Sequence, residues 1–315
     1  MRELTIKCVD AFTSRSFAGN PAGIVDEADG LSSEVMQSIA GQMLMNIIEY
    51  GFVMKARSPD AVARVRYFTP MCELDCSGHV TIAVCHSLIE DGTVEVCDGV
   101  SRFVLETGMG DIPIDLHGST VKGAPHLDRI MMHQPVQQWR EPEMPAEKLA
   151  QVLGIEPSAI AQTGLPLMVG TAGIDWLVVP IDGRDRLLSL RPDLIKLGML
   201  GREYGIQTNH LFTLETFSPE CISYARHFGP AMGLWEDPAT AVAAGGLGEY
   251  LVRHGITSAR TMQMEQGGDM GRLARLLVEV DHEDGEISAV RVGGLAATSL
   301  AKKIRVEDDG SVTAV

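Results

Sequence analysis

Basic residues are scarce in this chain: 26 Lys and Arg stand against 42 Asp and Glu, a formal net charge of −16. A field of that sign repels nucleic-acid phosphates and anionic membranes. No local Lys/Arg cluster overrides it, so neither nucleic acid nor membrane is an expected partner. Cysteine is sparse as well, and six in 315 residues are too few for a disulfide framework. Long apolar runs are missing: no stretch approaches the roughly 20 residues of a membrane helix. The opening residues 1–12 contain no apolar core of a secretory leader. A cytoplasmic, reduced, soluble protein is therefore expected. No nicotinamide, flavin or nucleotide fingerprint occurs; Gly267-Gly268 and Gly293-Gly294 are turn signals without phosphate-loop context. Cys72-x-x-x-Cys76 matches no common zinc spacing and lacks a second pair, which leaves these thiols buried or incidental and predicts no metal.

What remains is an ordinary globular composition, 45% hydrophobic and 22% charged, long enough for two domains. Residues 4–12 alternate apolar and polar positions as a half-buried strand does, and end in turn chemistry at Gly19-Asn20-Pro21. Residues 22–25 read as a short strand. A helix then starts at Ser32 or Ser33, with Val35, Met36, Ile39, Ala40 and Met43 on its apolar face. Strands follow at 49–54 and 64–69. Residues 77–90 form a helix with so few charges that it must be buried. Further strands are expected at 94–96, 102–106 and 111–115, and a turn and domain boundary near 125–129.

The second half repeats this plan. It has strands at 131–134, 175–180, 210–214 and 221–228, helices at 145–153 and 191–200, and a second apolar helix over 237–254. The tail adds strands near 261–265, 274–280, 287–292 and 303–306. The glycines of the second apolar helix cost helix propensity, which close packing must offset. Many short strands with one apolar helix per half predict an α+β chain of two strand-rich lobes, each around a central helix. The expected lobes are 1–128, completed by 298–315, and 129–297, with the active site between them.

Three segments could carry chemistry. Glu49 stands among Ile47, Ile48, Tyr50, Phe52 and Val53. Desolvation at such a strand start raises a carboxyl pKa toward the range a general acid/base needs. On local sequence alone the plainer reading is an exposed loop glutamate. Ser77-Gly78-His79 opens the first apolar helix, where backbone N–H groups attract carboxylates and developing enolates. His79 could bond a substrate or relay a proton; a buried histidine satisfied by a neighbour is an equal alternative. Glu236-Asp237-Pro238-Ala239-Thr240 opens the second helix. There Asp237 reads as N-cap and Pro238 as N1, which suffices as a structural explanation.

Motifs along nearly the whole chain resemble the PhzF-like family of phenazine biosynthesis, whose fold is that of diaminopimelate epimerase. Val9-Asp10-Ala11-Phe12-Thr13 and Phe17-Ala18-Gly19-Asn20-Pro21-Ala22 resemble its opening strand and turn. Asn46-x-x-Glu49 resembles its Asn-x-Ser-Glu-Thr signature, and Ser77-Gly78-His79-Val80-Thr81 its first central helix start. Glu236 to Thr240 resembles the second, and Glu265-Gln266-Gly267 with Gly271-Arg272 a late loop. The resemblance implies two similar lobes, each a barrel-like sheet around its helix, and a cofactor-independent isomerase, commonly a homodimer. It implies Glu49 as the acid/base moving a proton between carbons of a small organic acid. His79 and Asp237 would orient substrate or share the proton, and Asn20, Ser77, Gly78, Thr240 and Gln266 would bind substrate.

Departures from the family pattern bear on the substrate. Ser77 and Asp237 stand where related racemases set two cysteines, so a two-thiol racemase is not expected. Ile48, Tyr50, Ala241 and Val242 replace family Ser, Thr, Gly and Ser. The pocket is then less polar, and the phenazine-pathway substrate does not carry over. The alternatives are an epimerase or dehydratase of an amino or hydroxy acid, or a non-catalytic binding relative.

Overall fold

The computed structural model describes residues 1–42, 47, 49–307 and 309–314. Met43 of the expected helix face, and Asn46 and Ile48 beside Glu49, lie outside the described residues.

The chain divides into two compact units, Met1–His133 with Gly293–Val315, and Gln134–Val292. The first unit contains β1 (Arg2–Ala11), β2 (Asn20–Val25), α1 (Ser33–Gln42), β3 (Glu49–Met54), β4 (Ala63–Phe68), β5 (Glu73–Leu74), α2 (Gly78–Glu90), β6 (Gly99–Thr107), β7 (Gly110–Val121) and β8 (Ala124–Gln134). The second contains β9 (Gln138–Arg140), α3 (Ala146–Leu153), α4 (Ser158–Ala161), β10 (Met168–Thr171), β11 (Asp175–Pro180), α5 (Arg184–Ser189), α6 (Leu194–Tyr204), β12 (Thr208–Thr213), β13 (Ser223–Gly229), β14 (Leu234–Asp237), α7 (Ala241–Arg253), β15 (Thr261–Gln266), β16 (Ala274–Glu283) and β17 (Glu286–Gly294). The chain then returns to the first unit with β18 (Ala296–Val306) and β19 (Val312–Ala314), and β18 pairs antiparallel with β1.

Both lobes have one strand plan. In the first, β1–β2 is antiparallel, β2–β3 parallel, β3–β4 antiparallel, β4–β5 antiparallel and β4–β6 parallel. In the second, β10–β11, β11–β12, β12–β13, β13–β14 and β13–β15 repeat that series of directions pair by pair. The pseudo-repeat read from the sequence is therefore a repeat of topology, with α2 and α7 as equivalent helices.

Each central helix is buried nearly all round, as its lack of charge requires. On α2, Val80, Ile82, Ala83, Val84 and Cys85 are all fully buried. Gly51 on β3 lets α2 approach: a Cβ there would lie 2.7 Å from Val80 Cγ1 and 3.0 Å from Val84 Cγ2. On α7 the buried run covers Ala243 to Val252, and a Cβ at Gly248 would meet Val278 Cγ1 at 2.7 Å. Small residues thus give up helix propensity and gain close helix–sheet packing. Outside these helices, separate apolar clusters form around Ile6, Met36, Tyr50 and Phe52, and around Leu149, Leu177, Leu197 and Leu211.

Several local expectations are corrected. Residues 94–96 form no strand, because the Thr93 and Val94 N–H groups donate to Leu88 O and close the end of α2. Residues 125–129 lie inside β8. The hairpin turn sits earlier, at Lys122 (φ 53) and Gly123 (φ 81), a two-residue loop of the type that matches strand twist. The helix expected from 191 begins at Leu194, where the Asp193 carboxylate accepts from Lys196 N. Asp237 is not a cap: it ends β14 opposite His227, and α7 starts at Ala241 with Thr240 as N-cap. Pro238 explains the shift, since the residue before a proline is driven to extended backbone.

Candidate active site

The first lobe gathers Glu49, Ser77, Gly78 and His79. Glu49 opens β3, whose parallel pairing sets it beside Ala22 of β2. His79, in the first turn of α2, places Nδ1 3.8 Å from Glu49 Oε2, and the Ser77 hydroxyl lies 3.4 Å from the same nitrogen. The Glu49 side chain is 19% exposed and that of His79 9%. Burial raises the Glu49 carboxyl above its ordinary value, and a hydrogen bond from Ser77 offsets part of the rise. A carboxyl so placed changes protonation closer to neutral pH than an exposed one. Asn20 is buried on β2, on the strand face of Ala22 and roughly 7 Å along from it.

Ser77 is the N-cap of α2, yet its side chain makes no cap hydrogen bond. Its hydroxyl turns to Glu49 and His79 instead. Tyr67 and Thr81 hold this start from behind: Thr81 Oγ1 donates to Ser77 O at 2.7 Å, and the Tyr67 hydroxyl lies 2.9 Å from Thr81 Oγ1.

The two thiols of Cys72-x-x-x-Cys76 are free. Cys72 is exposed and Cys76 partly exposed. Burial pushes the Cys76 thiol up to about 11, with the Glu49 carboxylate adding to the rise. A thiol held protonated in this way is a poor nucleophile or proton acceptor.

The second lobe gathers Asp237, Thr240 and Gln266. Thr240 is the N-cap of α7 and, like Ser77, makes no side-chain cap bond. Its hydroxyl donates to Asp237 Oδ2 at 2.5 Å. Gln266, fully buried at the end of β15, donates from Nε2 to Asp237 O at 2.7 Å and accepts from Thr240 N at 3.1 Å. The following Gly267 (φ +78) cannot carry a Cβ, which would stand 2.5 Å from Pro238 O.

Strand equivalence shows how the two clusters differ. Tyr50 opposes Phe68 in the first lobe and Asn209 opposes Phe228 in the second, so Glu49 corresponds to Thr208. Leu74 opposes Tyr67 and Asp237 opposes His227, so Asp237 corresponds to Leu74. Each candidate cluster includes one carboxylate, Glu49 or Asp237, at non-equivalent places of a common frame.

Sequence reading missed a buried polar layer behind the second cluster. His210 and His227 face each other on β12 and β13 with Nδ1 atoms 3.2 Å apart. Burial lowers both, His227 to about 3, and so favours the neutral imidazole. Glu249, within α7, accepts from Gln137 N and Trp139 Nε1, and burial pushes its carboxyl up to about 7. A cavity of about 360 Å³ in this lobe, with Asp182 and Glu215 among its lining, contains none of the candidate residues. Both carboxylates are already engaged, by Arg186 and by Arg184 N. Among the described residues no group of three or more His, Cys, Asp or Glu is arranged to hold a metal ion, and no helix is long and apolar enough to cross a membrane.

Residues 9–302 match the family model described as phenazine biosynthesis-like protein. The chain is 31% identical, over 92% of its length and 95% of the relative's, to the trans-2,3-dihydro-3-hydroxyanthranilate isomerase of Pseudomonas aeruginosa. It is 29% identical to an uncharacterised isomerase of Bacillus subtilis, over 97% of this chain and all of that one. The crystal structure of a PhzF-family phenazine biosynthesis protein from Bacillus anthracis superposes with a TM-score of 0.83 at 29% identity, covering 97% of this chain and all of that one.

Proposed function

Since the chain belongs to the phenazine biosynthesis-like (PhzF) family of isomerases, we propose that it moves a proton between two carbons of a small carboxylate-bearing substrate, with Glu49 as the acid/base. The observation that carries this reading is the Glu49 carboxyl itself: largely desolvated, raised in pKa, and bordered by the Ser77 hydroxyl and the His79 ring. In its ionised form Glu49 takes a proton from a carbon next to an activating group. The electrons of the broken C–H bond pass into a conjugated enolate-like system. The protonated carboxyl then returns the proton to the other carbon, which completes an isomerisation without net redox change.

His79 and Asp237 orient the substrate or share the proton in this reading, and Asn20, Ser77, Gly78, Thr240 and Gln266 bind it. The uncapped starts of α2 and α7 support a role for backbone N–H groups in holding the carboxylate or the developing negative charge. The protonated Cys76 and the absence of cysteine at Ser77 and Asp237 weigh against two-thiol racemisation. The reading takes the enzyme to be a cytoplasmic homodimer that works without a cofactor.

The test is Glu49→Gln, assayed in deuterated water. The probes are trans-2,3-dihydro-3-hydroxyanthranilate, the substrate named for the Pseudomonas relative, and a panel of small amino and hydroxy acids. Migration of a proton between carbons in wild type, and its loss in the folded variant, is the expected outcome. Full turnover by Glu49→Gln overturns the assignment. Inversion at one carbon with solvent label would instead indicate an epimerase, and loss of water a dehydratase.

A further inference from the structure

Both lobes carry the same ion pair at the same place, directly ahead of the central helix. In the first, Arg66 on β4 grips Glu73 on β5 through Nε–Oε1 at 2.7 Å and Nη2–Oε2 at 2.6 Å. In the second, Arg226 on β13 grips Glu236 on β14 through Nε–Oε1 at 2.7 Å and Nη2–Oε2 at 2.9 Å. Each arginine lies over the phenylalanine two residues on, with 5.1 Å to the Phe68 centroid and 4.9 Å to that of Phe228. Each glutamate stands four positions before the N-cap of its helix, Ser77 or Thr240. Topology, register and spacing thus make the two clamps equivalent.

Their surroundings differ in a way that bears on the site. Arg226 is buried, its Nη1 donating to Leu187 O and Leu190 O, and its Nε also lies 3.0 Å from Asp269 Oδ2. The Tyr224 hydroxyl donates to the other Asp269 oxygen at 2.6 Å. Glu236 adjoins Asp237, and Asp269 sits in the turn that follows Gln266. One guanidinium therefore joins β13, β14, which ends at Asp237, and the turn that follows Gln266. Arg66 joins β4 and β5, and also α1, where Nη2 donates to Ser33 Oγ at 2.9 Å.

We infer that Arg66 and Arg226 are positioning residues, a duplicated clamp that fixes the chain entering each central helix and so sets the site residues at its start. The functional part of this inference rests on the reading of the site given above. The planar fork of arginine makes two parallel bonds that a lysine ammonium cannot. Arg66→Lys and Arg226→Lys therefore retain the charge and remove the geometry.

Hydrogen–deuterium exchange followed by mass spectrometry on the full-length variants is the direct test. Arg226→Lys is expected to speed exchange in peptides spanning 236–244, and Arg66→Lys in peptides spanning 73–81, with the remainder of each lobe unchanged. On whichever of trans-2,3-dihydro-3-hydroxyanthranilate and the panel of small amino and hydroxy acids wild type converts, kcat falls about tenfold or more while KM changes less than about threefold. Where Arg226→Lys does not fold, Glu236→Gln replaces it, keeping the arginine and one of its two bonds. Exchange that is unaltered, or raised evenly across the lobe, overturns the inference, as does an unchanged kcat on a probe that wild type converts. The exchange arm needs no substrate. It decides the clamp even if Glu49→Gln retains turnover and the proposed function fails.

Discussion

Glu49 Oε2 lies 3.8 Å from His79 Nδ1, and the Ser77 hydroxyl reaches both side chains. Burial raises the Glu49 pKa, and among the described residues the Ser77 hydroxyl lowers it. Used as a base, Glu49 must be ionised. The low-pH limb of kcat/KM should then rise through a pKa above the ordinary glutamate value of 4.5. Ser77→Ala removes the lowering bond and should move that limb further up. A pH–rate series on both proteins checks this, and a limb at or below 4.5 contradicts it.

The same burial has a stability consequence. Between 4.5 and the raised native pKa, the folded chain holds a proton at Glu49 that the unfolded chain has released. Stability contributed by this group is therefore lost as pH rises through that window. Glu49→Gln keeps the shape without the charge and should raise Tm at pH 8 more than at pH 4.5. Thermal melts at the two values measure the difference.

Glu249 makes a purely structural version of this effect. It is fully buried and its carboxyl is raised from 4.5 to about 7. The shift corresponds to about 3 kcal/mol of stability lost as pH rises from near 4.5 to beyond 7. Glu249→Gln should flatten that part of the pH–stability curve. Near pH 5, where the carboxyl is protonated, it should change stability little, because the Gln amide oxygen can take the place of Oε2, which accepts from both Gln137 N and Trp139 Nε1. Denaturant titrations at pH 5 and 8 test both statements.

Gly51→Ala tests the helix seat. The added methyl would sit 2.7 Å from Val80 Cγ1, with neighbours that cannot withdraw from a packed core. Overpacking of this kind costs roughly 1–3 kcal/mol. A Tm equal to wild type would mean that α2 shifts away from β3 at no cost.

Much of this was legible from sequence where the signal is local. The apolar runs of α2 and α7 and the alternation of β1 and β4 translate directly into burial, whereas Glu49, read locally as an exposed loop glutamate, lies largely buried at the start of β3. The α7 entrance was misread because Asp237-Pro238 is also a capping pattern, and the pairing of Asp237 with His227 that overrides it is non-local. The clamps were missed for a related reason. Arg226 and Glu236 are ten residues apart on different strands, and nothing in their neighbours marks them as partners until β13 and β14 pair. His210 and His227 likewise become a pair only through register.

The mismatch between Glu49 and Thr208 has a consequence for isotope transfer. Thr208 cannot hold and return a proton near neutral pH, so the two lobes share the strand frame without sharing the carboxyl. A single carboxyl that collects a proton and delivers it again carries the same nucleus from donor to acceptor carbon whenever delivery outruns exchange with bulk water. Substrate deuterated at the donor carbon and converted in ordinary water should then yield product with part of its label at the acceptor carbon. Two separate bases would wash the label out.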